Sequence, residues 1–269
     1  MIDVNDRDAV AMVFAQICSD AAVEVMAVYE SDFEVRTKDD RSPVSDADER
    51  AEKVILAELS RLMPGIPVVA EESFSAGQRV CPGEEFILVD PVDGTREFIA
   101  RNGEFTLNIA LVRRGVPVAG VVYAPALGRL YAGGETAWSA DLAPGGNVAA
   151  AGRKTLDGRA LDPDAVIAVC SRSHRDEKTS EFLEAMSVSD TVSAGSSLKF
   201  CLLAEGRADV YPRFGPTCEW DIAAGQAVLC AAGGMMSQPD GSALVYGKAD
   251  VDFRNTPFIA WASRDRVNA

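Results

Sequence analysis

Apolar residues recur at three- and four-residue spacing in two stretches near the start of the chain, which predicts two amphipathic helices. The first covers residues 6–29, and the second opens at residues 45–48 and ends before Pro64-Gly65. Ser45 is suited to cap the second helix, because an acid follows three residues later. The polar residues 36–43 between the helices predict a loop or hairpin, with a flap beside a functional site as the alternative.

Shorter apolar runs predict strands. They lie at residues 66–70, 86–89, 106–112, 116–123, 130–132 and 137–138. The continuous run 86–89 is typical of a parallel strand that ends in a turn. The turn residues Arg113-Arg114-Gly115 join two other runs and predict a hairpin. This part of the chain is therefore expected to form a largely antiparallel sheet flanked by two helices.

Residues 140–164 are polar and rich in glycine and proline, which indicates a soft boundary. We accordingly divide the chain into an N-terminal α+β half, residues 1–140, and a C-terminal α/β half, residues 141–269, forming one unit with a shared site. Beyond the boundary, strands and helices alternate. The predicted strands lie at residues 165–170, 208–212 and 258–262, and the predicted helices at 176–186, 196–205 and 220–232.

Composition excludes several classes of protein. The 269 residues are 48% hydrophobic, enough for a sizeable core, and the net charge of −15 argues against non-specific binding to nucleic acid or anionic membranes. The acidic start does not resemble an export signal, and no apolar run is expected to reach the length of a membrane span. Scattered cysteines and a single histidine, His174, argue against zinc and suggest a reducing cytoplasm. Peripheral association with an inner membrane and assembly into a homodimer stay open.

The strongest candidate for chemistry is Asp90-Pro91-Val92-Asp93-Gly94-Thr95, directly after the run 86–89. Pro91 fixes φ, and Gly94 allows the backbone to approach a ligand closely. Hard divalent cations prefer carboxylate and carbonyl oxygens, and α/β sheets bind ligands where strands end. An ordinary Asp-Gly turn is the alternative.

Two further acidic stretches bear on this motif. Glu71-Glu72 follows the strand at residues 66–70, and Glu71 faces Asp90 across a common rim if the two strands are neighbours. Asp48 lies in the first turn of the second predicted helix, where the helix dipole alone favours an acid. Either stretch, taken alone, is explained by solvation or by capping.

Three acidic motifs together resemble the Mg²⁺-dependent, lithium-sensitive phosphatase superfamily that includes inositol monophosphatase. They are Glu71-Glu72, residues 90–95, and Trp220-Asp221 with Ala223-Ala224-Gly225. Other segments are similar to one branch, the 3'(2'),5'-bisphosphate nucleotidases of the CysQ type. These segments are residues 94–98, 101–106, 171–174, 195–201 and 211–217. The resemblance spans residues 42–234 and implies an α/β fold, a layered αβαβα sandwich.

The resemblance also implies a role for each matching residue. The implied ligands of two or three Mg²⁺ ions, with Li⁺ as inhibitor, are Glu71, Asp90, Asp93, Asp221 and the Val92 carbonyl. Asp48 and Thr95 are implied to orient the attacking water, and Glu72 to support that water or a third metal ion. The implied substrate contacts are Gly94, Thr95, His174, Ser196, Lys199 and Arg213.

Two of these contacts are cations, Lys199 and Arg213, and we expect them to lie away from the acids and to hold a second phosphate. A solvated surface charge is the alternative for each, although the setting Tyr211–Pro216 is rigid around Arg213. For His174, a local cap or an incidental surface position fits equally well.

The resemblance therefore implies Mg²⁺-dependent hydrolysis of adenosine 3',5'-bisphosphate, or of its sulfated form, in sulfur assimilation or nucleotide recycling. An inositol or sugar monophosphatase is the alternative within the same class. A catalytically silent regulator that binds metal or nucleotide is the alternative from another class. A dinucleotide-binding fold is not supported, since no Gly-x-Gly-x-x-Gly follows an early strand.

Overall fold

The computed structural model describes residues 2–31, 35–37, 43–171 and 177–264. The first elements, in chain order, are α1 (Arg7–Tyr29), β1 (Val35–Thr37), β2 (Pro43–Ser45), α2 (Asp46–Leu62), β3 (Val68–Ala70), α3 (Glu71–Ser75), β4 (Glu85–Asp93), α4 (Thr95–Ile99), β5 (Thr106–Arg113), β6 (Val116–Ala124), β7 (Arg129–Gly133), β8 (Ala137–Asp141) and β9 (Arg153–Thr155). The others are β10 (Ile167–Ser171), α5 (Glu177–Ala185), β11 (Asp190–Ala194), α6 (Leu198–Ala204), β12 (Val210–Arg213), α7 (Glu219–Ala231), β13 (Met235–Ser237) and β14 (Phe258–Trp261).

Two sheets alternate with three helical layers. Helices α1 and α2 cover one face of a seven-stranded sheet of order β3-β4-β5-β6-β7-β8-β9. Helices α6 and α7 lie between that sheet and a five-stranded sheet of order β11-β10-β12-β14-β13, and α5 covers the outer face of the second sheet. The predicted αβαβα sandwich is confirmed.

The central strands of the first sheet are buried on both faces. In β5, Leu107, Ile109 and Leu111 pack beneath α1 and α2, whereas Ala110 and Val112 face the layer of α7. Successive side chains of a strand point to opposite faces, so a doubly covered strand appears in the sequence as a continuous apolar run. The apolar run therefore locates β5 in the sequence, but it does not show which helices cover each face.

Helix α1 begins after Asp6, whose side chain accepts a hydrogen bond from the Ala9 N–H. By length and composition alone it qualifies as a membrane span, so the prediction that no apolar run reaches this length is wrong. Its apolar side chains belong to the protein core: Val10 and Phe14 are fully buried, and the helix packs against β6 and β7.

The strands that the sequence missed are short or polar. Strand β9 is exposed along its whole length, and β11 is mostly exposed. Both are edge strands, which natural sheets often build from polar and charged residues. Because β9 belongs to the first sheet, that sheet extends beyond residue 140; the division into halves stays a prediction. Strands β1 and β2 pair as the predicted hairpin, and residues 38–42 between them lie outside the described chain.

Helix α7 lies directly against the first sheet. A Cβ placed on Gly120 would come within 2.9 Å of the Ala224 backbone, and one on Gly133 within 2.6 Å of the Val228 backbone. No larger residue fits at either position without displacing the helix. The close approach fixes the position of the helix that carries Asp221 in its first turn.

Candidate functional site

The first part of the site lies where β3 ends beside β4. The two strands are parallel neighbours, with Ala70 opposite Val89. Glu71 and Asp90 follow these paired residues, so both acids project at the same edge of the sheet. The expectation that Glu71 faces Asp90 across a common rim is confirmed.

A β-bulge in β4 brings Asp93 to the same face as Asp90. Asp90 pairs with Asn108 of β5, and Asp93 pairs with Thr106, so three steps along β4 match two along β5. Regular alternation would place residues three apart on opposite faces, and the bulge cancels that difference. The prediction that this strand ends in a turn after residue 89 is therefore wrong, because β4 continues to Asp93; Gly94 follows with φ of +91°.

Asp221 reaches the acids from the first turn of α7. Its Oδ2 atom accepts a hydrogen bond of 2.7 Å from the Cys218 N–H, which fixes the side chain at the helix start. One carboxylate oxygen from each of Glu71, Asp90 and Asp221 lies within 4.8 Å of the others. The three sequence motifs therefore meet at one point.

The chemistry of this cluster suits a cation. Asp90 is 1% exposed, and its Oδ1 atom is a buried side-chain oxygen that has no hydrogen-bond partner within the described chain. Burial, and then the neighbouring carboxylates, raise the pKa of Asp90 well above its ordinary value. Burial followed by the charge of Asp93 raises the pKa of Asp221 to about 7. A bound divalent ion would supply the missing partner and offset the repulsion.

Asp93 stands apart from the cluster of three and is held by hydroxyl groups. Its Oδ2 atom lies 2.7 Å from Ser196 Oγ and 3.2 Å from Ser197 Oγ. The Ser196 hydroxyl is also 2.5 Å from Thr106 Oγ1. Ser197 donates to the main-chain oxygen of Asp221 at 2.7 Å, and so links the two acid-bearing segments.

The charges of the two predicted phosphate-binding cations act on the acids, and their contact with a second phosphate stays a prediction. The charges of Arg213 and Lys199 both lower the pKa of Asp221, and Lys199 does the same for Asp93. Lys199 is 7% exposed, and its amine donates to the Ser196 carbonyl at 2.5 Å. Burial lowers the pKa of Lys199 to about 8.

Arg213 is placed differently. It is the last residue of β12 and is partly exposed, and its Nη2 atom donates to the Pro216 carbonyl at 3.2 Å. Its Nε atom is buried and has no hydrogen-bond partner among the described residues. The guanidinium group therefore retains an Nε–H donor that no described residue uses.

The remaining predicted residues surround the cluster. Asp48, on α2, is 4% exposed, and its charge contributes to the raised pKa of Asp90. Glu72 and Thr95 are partly exposed; Glu72 is the second residue of the short helix α3, and Thr95 is the first residue of α4. The Val92 side chain is buried beneath α1 and α2, which leaves its main chain for the site. His174 lies outside the described residues.

Sequence reasoning missed several polar residues that support the site. Glu52 accepts hydrogen bonds from the start of α3, and Ser197 and Thr106 belong to the network around Asp93. Thr106 and Ser197 lie within segments already singled out by resemblance. The signal for Glu52 is its spacing, since it lies one helical turn after Asp48 on the same face of α2.

Comparisons with known proteins give consistent findings. A family model described as the inositol monophosphatase family matches residues 6–267. The 3'(2'),5'-bisphosphate nucleotidase CysQ of Salmonella typhimurium is 45% identical over 234 residues, which cover 86% of this chain and 91% of the relative. The crystal structure of CysQ from Bacteroides thetaiotaomicron matches with a TM-score of 0.78 at 36% identity, covering 97% of this chain and 100% of that one. Inositol monophosphatase from Anabaena shares the fold, with a TM-score of 0.72 at 22% identity over 97% of this chain and 93% of that one.

Proposed function

The chain belongs to the inositol monophosphatase family, and from this premise we propose that it is an Mg²⁺-dependent phosphatase that hydrolyses adenosine 3',5'-bisphosphate to AMP and phosphate. The observation that carries the proposal is the convergence of Glu71, Asp90 and Asp221 around a buried oxygen without a partner. The names of the CysQ relatives support a nucleotide bisphosphate as the substrate.

We assign the metal-holding role to Glu71, Asp90 and Asp221, with Asp93 and the Val92 carbonyl completing a site for a second ion. A divalent cation held by these residues would supply positive charge that lowers the pKa of water and stabilises the leaving oxygen. Li⁺ would inhibit by competing for these oxygens. Lys199, buried beside Asp93, supports the cluster by offsetting part of its negative charge.

The protein's own groups orient the reactants. We assign Asp48 and Thr95 to hold the attacking water, and Glu72 to support it. The amide groups of Gly94 and Thr95 are suited to phosphate oxygens, although α4 has only five residues and contributes little dipole. Ser196 orients Asp93 through its hydroxyl group. His174 stays a predicted substrate contact.

Arg213 is our candidate for binding the second phosphate. It is partly exposed at the end of β12, and it has a buried Nε–H without a partner in the described chain. A guanidinium group binds phosphate through two parallel hydrogen bonds, which a lysine amine cannot do. This residue would therefore distinguish a bisphosphate from a monophosphate.

A phosphate-release assay tests the proposal. We expect turnover of adenosine 3',5'-bisphosphate to exceed that of inositol 1-phosphate and fructose 1,6-bisphosphate, to need Mg²⁺, and to fall when Li⁺ is added. The sulfated nucleotide belongs in the same panel, because both carry the 3'-phosphate. Preference for a sugar or inositol phosphate would assign a different substrate, and absence of any release would favour a regulator that only binds its ligand.

We propose a cytoplasmic location, which the chemistry of the cysteines supports. All six cysteines are free thiols, and Cys18, Cys170 and Cys201 are buried in the core. Thiols persist in reducing compartments, whereas oxidising ones favour disulfides. Fractionation of cells that express the protein tests this placement.

Thr95→Ala is expected to lower kcat by about 100-fold or more while leaving KM nearly unchanged. The hydroxyl group is proposed to orient the attacking water, an interaction that matters mainly in the transition state and for which positioned proton acceptors contribute about 10²–10⁴-fold. Steady-state kinetics at saturating Mg²⁺ measure the effect. The control is Thr191→Ala, on the exposed strand β11. A change confined to KM would make Thr95 a binding residue instead.

A further inference from the structure

The start of α3 lacks a capping side chain of its own. The residue before the helix is Ala70, with φ of −117° and ψ of 141°, and the alanine side chain has no oxygen that could accept a hydrogen bond. The first N–H groups of any helix have no partner within the helix. Here they follow directly on Glu71, which belongs to the acid cluster.

A carboxylate from another helix takes the place of the missing cap. Glu52 of α2 is 5% exposed, and its Oε2 atom accepts a hydrogen bond of 2.9 Å from the Glu72 N–H. Its Oε1 atom accepts from the Ser73 N–H at 2.9 Å and from the Ser73 hydroxyl at 2.5 Å. These are the N–H groups that a capping side chain would satisfy.

The same glutamate lies on the face of α2 that carries Asp48. The two residues are four apart, so their side chains project from the same side of the helix. Asp48 is buried, and its charge acts on Asp90. Glu52 therefore connects the segment that bears Asp48 to the segment that bears Glu71.

We propose that Glu52 is a positioning residue that ties α3 to α2 and thereby holds Glu71 and Asp48 at fixed places around the acid cluster. This inference rests on the proposed function, because it assigns Glu52 to the support of a metal ligand. Its role goes beyond packing: the carboxylate would set how tightly the cluster binds Mg²⁺. Neighbours that orient metal ligands typically change metal affinity or activity by about 10–100-fold when replaced.

The test is Glu52→Gln. The glutamine side chain keeps the shape of the glutamate, but its NH₂ group replaces one carboxylate oxygen and cannot accept the hydrogen bonds that this oxygen accepts. We expect the Mg²⁺ concentration for half-maximal stabilisation in a thermal melt to rise about 10–100-fold, and that for half-maximal activity to rise in parallel. KM for the nucleotide at saturating Mg²⁺ should stay unchanged. The matched control is Glu58→Gln on the same helix, where the side chain pairs with Arg61 at the surface.

A second variant keeps the inference testable if Glu52→Gln does not fold. Ser73→Ala removes one donor without altering the glutamate, and we expect a smaller shift in the same direction. The inference would be overturned if both variants needed the same Mg²⁺ concentrations as the wild type and differed from it only in a lower Tm in chelator. Glu52 would then be a packing residue. If the wild type neither releases phosphate nor gains stability from Mg²⁺, the proposed function fails, and this inference fails with it.

Discussion

Asp90→Asn is expected to reduce phosphate release by more than about 100-fold, yet to leave the protein at least as stable as the wild type in chelator. The first effect follows from losing a metal ligand, which should exceed the effect of losing one of its supporting neighbours. The second follows from the surroundings of Asp90, which is 1% exposed among other acids and has an oxygen without a partner in the described structure. Thermal melts in chelator and in Mg²⁺, together with kinetics, measure both.

Mg²⁺ should raise the Tm of the wild type, and it should raise the Tm of Asp90→Asn much less, because only a protein that binds the ion gains stability from it. Asp209→Asn is the matched control. Asp209 is also buried, but its carboxylate accepts hydrogen bonds from Arg159 at 2.8 and 2.7 Å. We expect this control to lose stability and to keep its response to Mg²⁺. A marked loss of stability of Asp90→Asn in chelator would make Asp90 a structural residue and place the metal elsewhere.

The same cluster predicts how stability depends on pH without metal. The pKa of Asp221 is raised to about 7, and that of Asp90 is raised too. Between the ordinary aspartate pKa of about 4 and about 7, the folded state keeps protons that the unfolded chain has lost, so the free energy of unfolding falls as pH rises. In chelator, the Tm of the wild type should therefore decrease relative to that of Asp90→Asn from pH 5 to pH 8. A constant difference across this range would contradict the assignment.

Arg213→Ala is expected to raise KM for adenosine 3',5'-bisphosphate by about 10- to 150-fold, the equivalent of losing a charged hydrogen bond worth about 1.5–3 kcal/mol. The guanidinium group has a buried Nε–H that no described residue accepts, and a second phosphate is a fitting acceptor. The KM for adenosine 3'-monophosphate, which carries only the phosphate that is hydrolysed, should change much less. Steady-state kinetics on the two substrates give the comparison.

Arg207→Ala is the control for the loss of one arginine from the same half of the protein. Its side chain is 61% exposed and lies 3.5 Å from Glu205, so we expect wild-type kinetics on both substrates. Equal losses on the bisphosphate and the monophosphate in Arg213→Ala would instead indicate that Arg213 acts on the acid cluster, where its charge already lowers the pKa of Asp221.

Much of the fold could be predicted from the sequence, because its elements have clear local signatures. Helix α1 begins after a capping aspartate and carries apolar residues at helical spacing. Strands β4 and β5 are continuous apolar runs, since both faces of the first sheet are covered. Local patterns do not report exposed edge strands such as β9 and β11, whose pairing needs no apolar face.

The acids of the candidate site were also predictable, since carboxylates at strand ends and in a known motif order are visible in the sequence, and so was the approach of Glu71 to Asp90. The position of Asp93 relative to Asp90 was not. Asp90 and Asp93 share a face only because two residues of β4 bulge against one residue of β5. Such a bulge depends on the register between strands, which hydrogen bonds across the sheet decide.

Charge placement was decided by the tertiary structure in the same way. Lys199 and Arg213 lie more than a hundred residues from Asp93 along the chain, yet the charges of both act on the acid cluster. Helix α6 packs against α7, which carries Asp221, and β12 packs against α6. Glu52 reaches α3 across the space between two helices. The sequence by itself determined which ligands and charges this protein has. Only the packing of its layers decided which of them meet, because Coulomb and hydrogen-bond interactions depend on distance in space and not on separation along the chain.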